Sequence, residues 1–472
     1  MRIDKRIQGV DCIEHSIEIC MGAINRALCG RERQGRGKIT EGRNNKMNAD
    51  YRKMWTDLGL NLTAHDGLLE VLGKGYKDIY MIQEGRPKGM EYFDFVIREV
   101  HGLRVKELMD EKAAGRKVIG SFCVFVPEEI VRAADATLVG LCTGADVATE
   151  EVEKLLPRNT CALIKSAFGF KLGKVCPYIE STDMIVGENT CDGKKKSYEI
   201  FNNLVPNLYV MDIPQMKSPE GRALLKAEYM RFKKAVEKLT GLTIDAAKLK
   251  KGIEIVNNKR SAIHRLSALR KADHAPISGL DALLANQVSF YDDPARFTKS
   301  LNNICDELDA RIKNGTGVFP KGTPRILISG CPMAVPNWKL PWIIENSGAV
   351  IVGEESCVGE RGTRNLIDNS KTTEDDLMEA IVDRYFKVDC AIFTPNQDRL
   401  NHIIEMVQTY KADGVIHYGL QFCQPYIIES MSVEKELQSK GIPVIRIDTD
   451  YSTEDVGQLK TRVEAFVEMI KK

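Results

Sequence analysis

The chain has 472 residues, 43% hydrophobic and 28% charged, an ordinary globular composition long enough for two to four domains. Lys and Arg number 67 against 66 Asp and Glu, so the formal charge is +1 and no general attraction to nucleic acid or to an anionic membrane surface is expected. No apolar run approaches the roughly 20 residues of a transmembrane helix. Charges interrupt "MRIDKRIQGVDCIEHSIEIC", which lacks the apolar core of a signal peptide, so a cytoplasmic location is expected.

Residues 1–110 read as a charged helical extension, with a glycine- and basic-rich break at Gly30–Arg43. From Lys117 the character changes. The runs 117–122, 136–141, 183–188 and 207–214 are short and β-rich, with candidate helices between them. One helix should open at Pro127-Glu128-Glu129, where proline suits the first turn. Residues 217–320 show helical spacing of apolar residues and read as a connector. The β-rich pattern returns at 324–330, 349–356, 390–395, 414–422 and 443–450, and an amphipathic helix closes the chain. Alternating strands and helices imply parallel βα units. The expected fold is α/β: two Rossmann-like parallel-sheet domains, 111–216 and 321–472, joined by a helical segment, 217–320, and preceded by the helical extension 1–110.

Thirteen cysteines are the unusual feature. Their odd number and the missing export signal argue against a disulfide framework. No C-x-x-C pair occurs, which argues against zinc ribbons, thioredoxin chemistry and ferredoxin spacing. Placed on the expected strands, however, the cysteines fall into a pattern. Cys123, Cys142 and Cys191 follow strand ends in the first α/β domain, and Cys331, Cys357 and Cys423 do so in the second. Ligands of open parallel sheets bind beyond the carboxyl ends of the strands, so these thiols should converge on one cleft. Cys161 is a further candidate. A single cysteine after a strand is usually a small buried hydrophobe, but six at equivalent positions point to a shared metal or cluster site, and a sulfur-rich, histidine-poor set favours iron–sulfur. Cys390 opens its expected strand and reads as core, as do Cys176 and Cys305. Cys12, Cys20 and Cys29 match no ligand spacing.

Cys191 stands in "NTCDGKKK", beside lysines that could activate a nucleophilic thiol. No histidine lies nearby in sequence to act as a base, and Asp192-Gly193 can turn the chain away just after a ligand. Lys165 and Lys194–Lys196 could offset the charge of a cluster or bind phosphates. Glu128 and Glu129, near the same strand edge, could deliver protons to a reduced substrate, or could simply favour a helix N-terminus.

"LPRNTCALIKSAFGF", "CPYIESTDMIVGENTCDGKKKSYE", "ILISGCPM", "EESCVGERGTRN", "DGVIHYGLQFCQPYIIES" and "IDTDYSTEDVGQLKTRVEAF" resemble the 2-hydroxyacyl-CoA dehydratase/benzoyl-CoA reductase family, most closely its double-cubane cluster branch. The resemblance runs from about Lys117 to the C-terminus. It implies a [4Fe–4S] unit on Cys161, Cys191 and Cys423. In the double-cubane branch it implies a second unit joined by a bridging sulfide, giving [8Fe–9S] on six cysteines. Cys331 and Cys357 match the extra ligands, with Cys123 preferred to Cys142 as the sixth. The resemblance also implies a homodimer and a separate ATP-hydrolysing iron–sulfur activator as electron donor; the chain itself has no G-x-x-x-x-G-K-[ST] loop. The chain departs from its relatives at Ala162, where proline is frequent, and at Gln424, where histidine is frequent and a proton donor would otherwise be expected.

Three functions compete. The first is an ATP-dependent, activator-fed reductase of small molecules. The second is the [4Fe–4S] subunit of an (R)-2-hydroxyacyl-CoA dehydratase, a lyase acting on an acyl-CoA. The third is a non-catalytic electron-transfer protein.

Overall fold

Eight strands form two four-stranded parallel sheets in the computed structural model, which describes residues 48–471. The first sheet contains β1 (Val118–Ser121), β2 (Thr137–Gly140), β3 (Met184–Glu188) and β4 (Leu208–Met211), in the order β2-β1-β3-β4. The second contains β5 (Arg325–Gly330), β6 (Val350–Glu355), β7 (Gly414–Leu420) and β8 (Val444–Thr449), in the order β6-β5-β7-β8. The two halves therefore repeat one topology. β1, β3, β5, β6 and β7 are buried along their whole length, which is why these runs are mostly apolar rather than alternating, with the polar residues they do carry, among them Glu354, Glu355 and His417, themselves buried. The fold is α/β with two Rossmann-like units, as the βα alternation implies.

No strand lies between Met211 and Arg325. Four helices occupy that stretch: Pro219–Thr240, Ala246–Leu269, Gly279–Val288 and Pro294–Lys313. Each begins with a side-chain cap, from Ser218, Asp245, Ser278 and Asp293 respectively. Gly279–Val288 is buried on every face and links the two units. Gln287 donates to Met333 O at 2.7 Å, and just beyond the helix Phe290 O accepts from Gly140 N at 2.7 Å. One apolar core runs from Ala64 to Ile470 through both units, and a smaller one fills the far face of the second sheet. The sheets are thus held in one packed body rather than strung as beads.

Of the helices before the first sheet, Leu103–Ala113 packs on Pro177–Ser181 of the first unit, Met90–Arg98 packs on the connector helix Gly279–Val288, and Leu62–Ile79 with Tyr80 just after it sets Tyr76 and Tyr80 against Trp338 of the second unit. The break at Gly30–Arg43 and Cys12, Cys20 and Cys29 lie outside the described residues. The run 390–395, expected as a strand, is instead a turn: Phe393 N donates to Cys390 O at 3.2 Å, and Thr394 N donates to Gln215 O at 3.0 Å. Ile392 and Phe393 are buried, Phe393 against the rings of Phe125 and Phe386. A short apolar run signals burial, and periodicity over so few residues does not separate a strand from a packed turn.

Candidate functional site

In both sheets the strand order reverses between the first strand and its third, at β1/β3 and β5/β7, the crevice where such sheets take ligands. Cysteines follow all four of these strand ends, and the ends of β2 and β6 as well. Cys123 and Cys331 follow β1 and β5, Cys142 and Cys357 follow β2 and β6, and Cys191 and Cys423 follow β3 and β7. The two sheet edges face each other across a cavity of about 130 Å³, and all six thiols line it together with Cys161 and Cys390. Because about 10–15 Å³ already holds a water, this is room for a many-atom group rather than a single ion. Among the described residues no three Cys, His, Asp or Glu groups converge on one ion-sized point. The thiols ring a space instead.

Local geometry explains how they arrive there. Cys161, Cys191 and Cys423 are the N-cap residues of helices Ala162–Leu172, Asp192–Phe201 and Gln424–Ser439, so three helix N-termini point their free N–H groups at one region. Each sulfur sits by the first turn of its helix, near the N–H groups of Leu163 and Ile164 for Cys161, of Lys194 for Cys191 and of Tyr426 for Cys423, although none of the three makes a formed cap hydrogen bond. Ala162 N donates to Gln421 O at 3.2 Å, tying the start of one helix to the loop before the other. Phe422 adopts φ 63° directly before Cys423, a conformation costly for a bulky residue and therefore imposed by its surroundings. Gly330 has φ 135° directly before Cys331, and a Cβ there would stand 2.0 Å from Tyr418 O on the neighbouring strand. Only glycine lets β5 end with the thiol turned into the cleft.

The other thiols are served by side chains. Arg361 Nη1 lies 3.6 Å from Cys357 Sγ, and Arg361 also donates to the Tyr426 hydroxyl, which lies 3.6 Å from Cys390 Sγ. Glu355 holds that guanidinium at 2.6 and 2.9 Å and takes a further bond from the wholly buried Arg399 at 2.9 Å. Lys194, paired with the buried Glu188, lines the cavity, and its charge acts on Cys123, Cys142 and Cys357. Cys331 Sγ accepts from Leu420 N at 3.4 Å.

As free thiols, Cys123, Cys142, Cys161, Cys191, Cys357 and Cys423 are held protonated. Burial pushes Cys142 and Cys191 up to about 11 and raises Cys123 and Cys357, while Cys161 is raised first by its hydrogen bond with Cys423 and then by burial. Cys191 is therefore no activated nucleophile. Metal coordination would deprotonate such thiols, and the soft, sulfur-only donor set with inward N–H groups fits an iron–sulfur group.

The structure brings together Cys123, Cys161, Cys191, Cys331, Cys357 and Cys423, and adds two more. Cys142 also lines the cavity, but its Sγ donates to Phe122 O at 2.8 Å, a partner that would repel a thiolate. Cys390, expected as core, lines the cavity because the segment carrying it is a turn. Reading that segment as a strand hides it. Cys176 and Cys305 are buried away from the cavity, Cys176 capping helix Pro177–Ser181 and Cys305 within helix Pro294–Lys313. Arg361 and Tyr426 carry no signal in the sequence beyond their place in long motifs.

Glu128 and Glu129 open helix Glu128–Ala133 after Pro127, and both are buried in ion pairs. Burial works against the Glu128 carboxylate, but Lys259 and Arg132 outweigh it and hold its pKa at about 2. It is a fixed anion at neutral pH, not a proton reservoir. Glu129 pairs with Arg260 and accepts from the Tyr385 hydroxyl at 2.8 Å, and does not line the thiol cavity. Lys194 lines the thiol cavity, whereas Lys196 pairs with Glu199 on the exposed face and lines an outer pocket beside Cys161, Cys191 and Cys423.

Comparison with known proteins places this arrangement. Over 370 residues, 77% of this chain and 94% of the relative, the chain is 40% identical to a protein of Escherichia coli (strain K12) named "Putative dehydratase subunit YjiM". It is 26% identical to the (R)-phenyllactyl-CoA dehydratase beta subunit of Clostridium sporogenes, over 75% of this chain and 92% of that one. It is 22% identical to one of the benzoyl-CoA reductase subunits of Thauera aromatica, over 76% of this chain and 92% of that one. Residues 123–470, from the first cavity thiol to the closing helix, match the sequence model of 2-hydroxyglutaryl-CoA dehydratase, D-component, and the chain belongs to that family.

Proposed function

We propose that the chain is an iron–sulfur oxidoreductase whose thiol-lined cavity holds a double-cubane [8Fe–9S] cluster and which takes low-potential electrons from a separate ATP-hydrolysing activator to reduce small molecules. One observation carries this reading: eight thiols, six of them from equivalent strand ends of two sheets, line a single cavity, more than one [4Fe–4S] unit uses. Cys161, Cys191 and Cys423 would hold one unit and Cys123, Cys331 and Cys357 the other. When bound, the group supplies low-potential electron transfer and an iron–sulfur surface for the substrate. The chain's own residues do the rest. Backbone N–H groups and Arg361 stabilise negative charge on the sulfurs, and Leu163, Ile164, Val124 and Phe290 keep bulk water from the cavity. The family relatives are named as dehydratases or reductases, which supports catalysis, and as subunits, which supports work with partner chains.

The second reading is a [4Fe–4S] dehydratase subunit, favoured by the dehydratase names among the relatives. Anaerobic purification with iron and sulfide analysis separates the two: about eight iron atoms per chain for the first, about four for the second. A colourless, iron-free protein from anaerobic cells would refute both. Retained iron with no turnover of any small molecule or 2-hydroxyacyl-CoA, given activator and ATP, would leave electron transfer alone.

A further inference from the structure

A second cavity, of about 80 Å³, lies behind the thiols. Cys123, Cys357, Val124 and Phe290 line both cavities, whereas Cys161, Cys191 and Cys423 line only the first of the two. The far wall of the second is polar. Lys259 Nζ, directed at Glu128 Oε2 and lying 3.5 Å from Ser289 O, stands beside Asn286. Asn286 is 5% exposed, and its side-chain amide takes no hydrogen bond from the described residues, although a buried amide normally finds partners for most of its four hydrogen-bonding positions. Ser289 Oγ donates to Asn286 O at 2.6 Å, leaving its lone pairs open.

We infer that this chamber is a binding site for a small, uncharged, polar molecule that both donates and accepts hydrogen bonds, held by Asn286 and Lys259 against the Cys123/Cys357 side of the thiol cavity. Size argues the first part. At about 10–15 Å³ for one water, the chamber takes a ligand of roughly six non-hydrogen atoms, and the body of an acyl-CoA has no room there. Charge balance argues the second. Each ion on the wall already has a counter-ion: Lys259 has Glu128, Arg260 has Glu129, and Asp292 has Arg296. A charged ligand would enter with no opposite charge left to meet it, whereas a neutral one needs only the amide and the ammonium. As the reducible substrate's site, the chamber rests on the reading of the thiols as cluster ligands; as a binding site, it stands on its own walls.

Formamide, with one carbonyl and one amide group, is the probe. Saturation-transfer NMR on the anaerobically purified full chain reads its binding, and iron is counted on the same sample. The expected result is a formamide signal that weakens at least tenfold in affinity in Asn286→Leu, which fills the amide's place at similar volume. Lys259→Met, which leaves Glu128 its Arg132 partner, should weaken it as well, and covers the case in which Asn286→Leu does not fold. Binding unchanged in both folded variants, no binding to the parent chain, or displacement of formamide by a 2-hydroxyacyl-CoA would each overturn the inference. An iron-free sample would refute the cluster reading, while loss of formamide in the variants of that same sample would still support the chamber.

Discussion

Two sets of thiols share one cavity and are equipped differently. Cys161, Cys191 and Cys423 cap three helices, so the groups facing their sulfurs are backbone N–H groups of the first turns. Cys123, Cys357 and Cys390 lie beside Arg361, the Tyr426 hydroxyl and Lys194, on the side that the chamber adjoins through Cys123 and Cys357. Backbone N–H groups come with the fold, and no substitution other than proline removes one. Side-chain donors can be changed one at a time, so this second set is where the chain can set its electronic properties independently of its architecture.

Ligand removal tests the comparison most severely. Cys423→Ala should cost about half of the bound iron, as should Cys357→Ala, while Cys176→Ala and Cys305→Ala should leave iron analysis unchanged. The proposed six-ligand set predicts the same loss for Cys331→Ala and none for Cys390→Ala, and the reverse result would move the sixth ligand to Cys390. Arg361→Gln breaks a buried ion pair and should lower stability by about 3–5 kcal/mol in denaturant melts. In an electron-paramagnetic-resonance redox titration of that variant, one reduction step should move to lower potential and the other stay, because only the Cys357 side loses a donor. Movement of both steps together would break the distinction between the two sets.

Acid offers a milder probe. Burial lowers His65, stacked on His101 and packed against a tilted Trp55 ring, to about 4 from 6.5. The native state therefore stays neutral where the unfolded chain takes a proton. Its contribution is complete above pH 6.5 and is lost as pH falls toward 4, by up to about 3 kcal/mol. Glu128, beside the chamber, keeps its charge in the native state down to about pH 2, whereas in the unfolded chain it takes its proton near pH 4.5, so it adds its own loss of stability only at the acid end of that window, below about pH 5. Thermal melts from pH 7 to 4 should show this slope in the parent and a flatter one in His65→Phe. The smallest effect is expected from Tyr426→Phe, which removes one hydroxyl at a cost of about 1–2 kcal/mol. It should shift the same reduction step as Arg361→Gln, by less.

Much of this is legible in the chain itself. "PRILISG" and "DGVIHYGLQF" are dominated by apolar residues without strict alternation because parallel strands are buried on both faces, and a cysteine after each such run marks a strand end without any knowledge of contacts. Cys390 escapes for the same reason that the strands are found: "CAIF" is apolar because it is buried, and burial alone does not say strand. Glu128 and Glu129 are legible as a helix start, but their ion pairs with Lys259 and Arg260 join residues more than a hundred positions apart, which no local pattern encodes.

The sequence by itself determined the alternation of strands and helices, the two βα units and the recurrence of thiols at strand ends, since each follows from short-range hydrophobic periodicity and turn chemistry. Only the tertiary structure decided which thiols meet, that Arg361 and Tyr426 reach two of them, and that a polar chamber lies behind them. Those facts depend on how two separately coded sheets face each other, and the packing of one continuous core fixes that orientation.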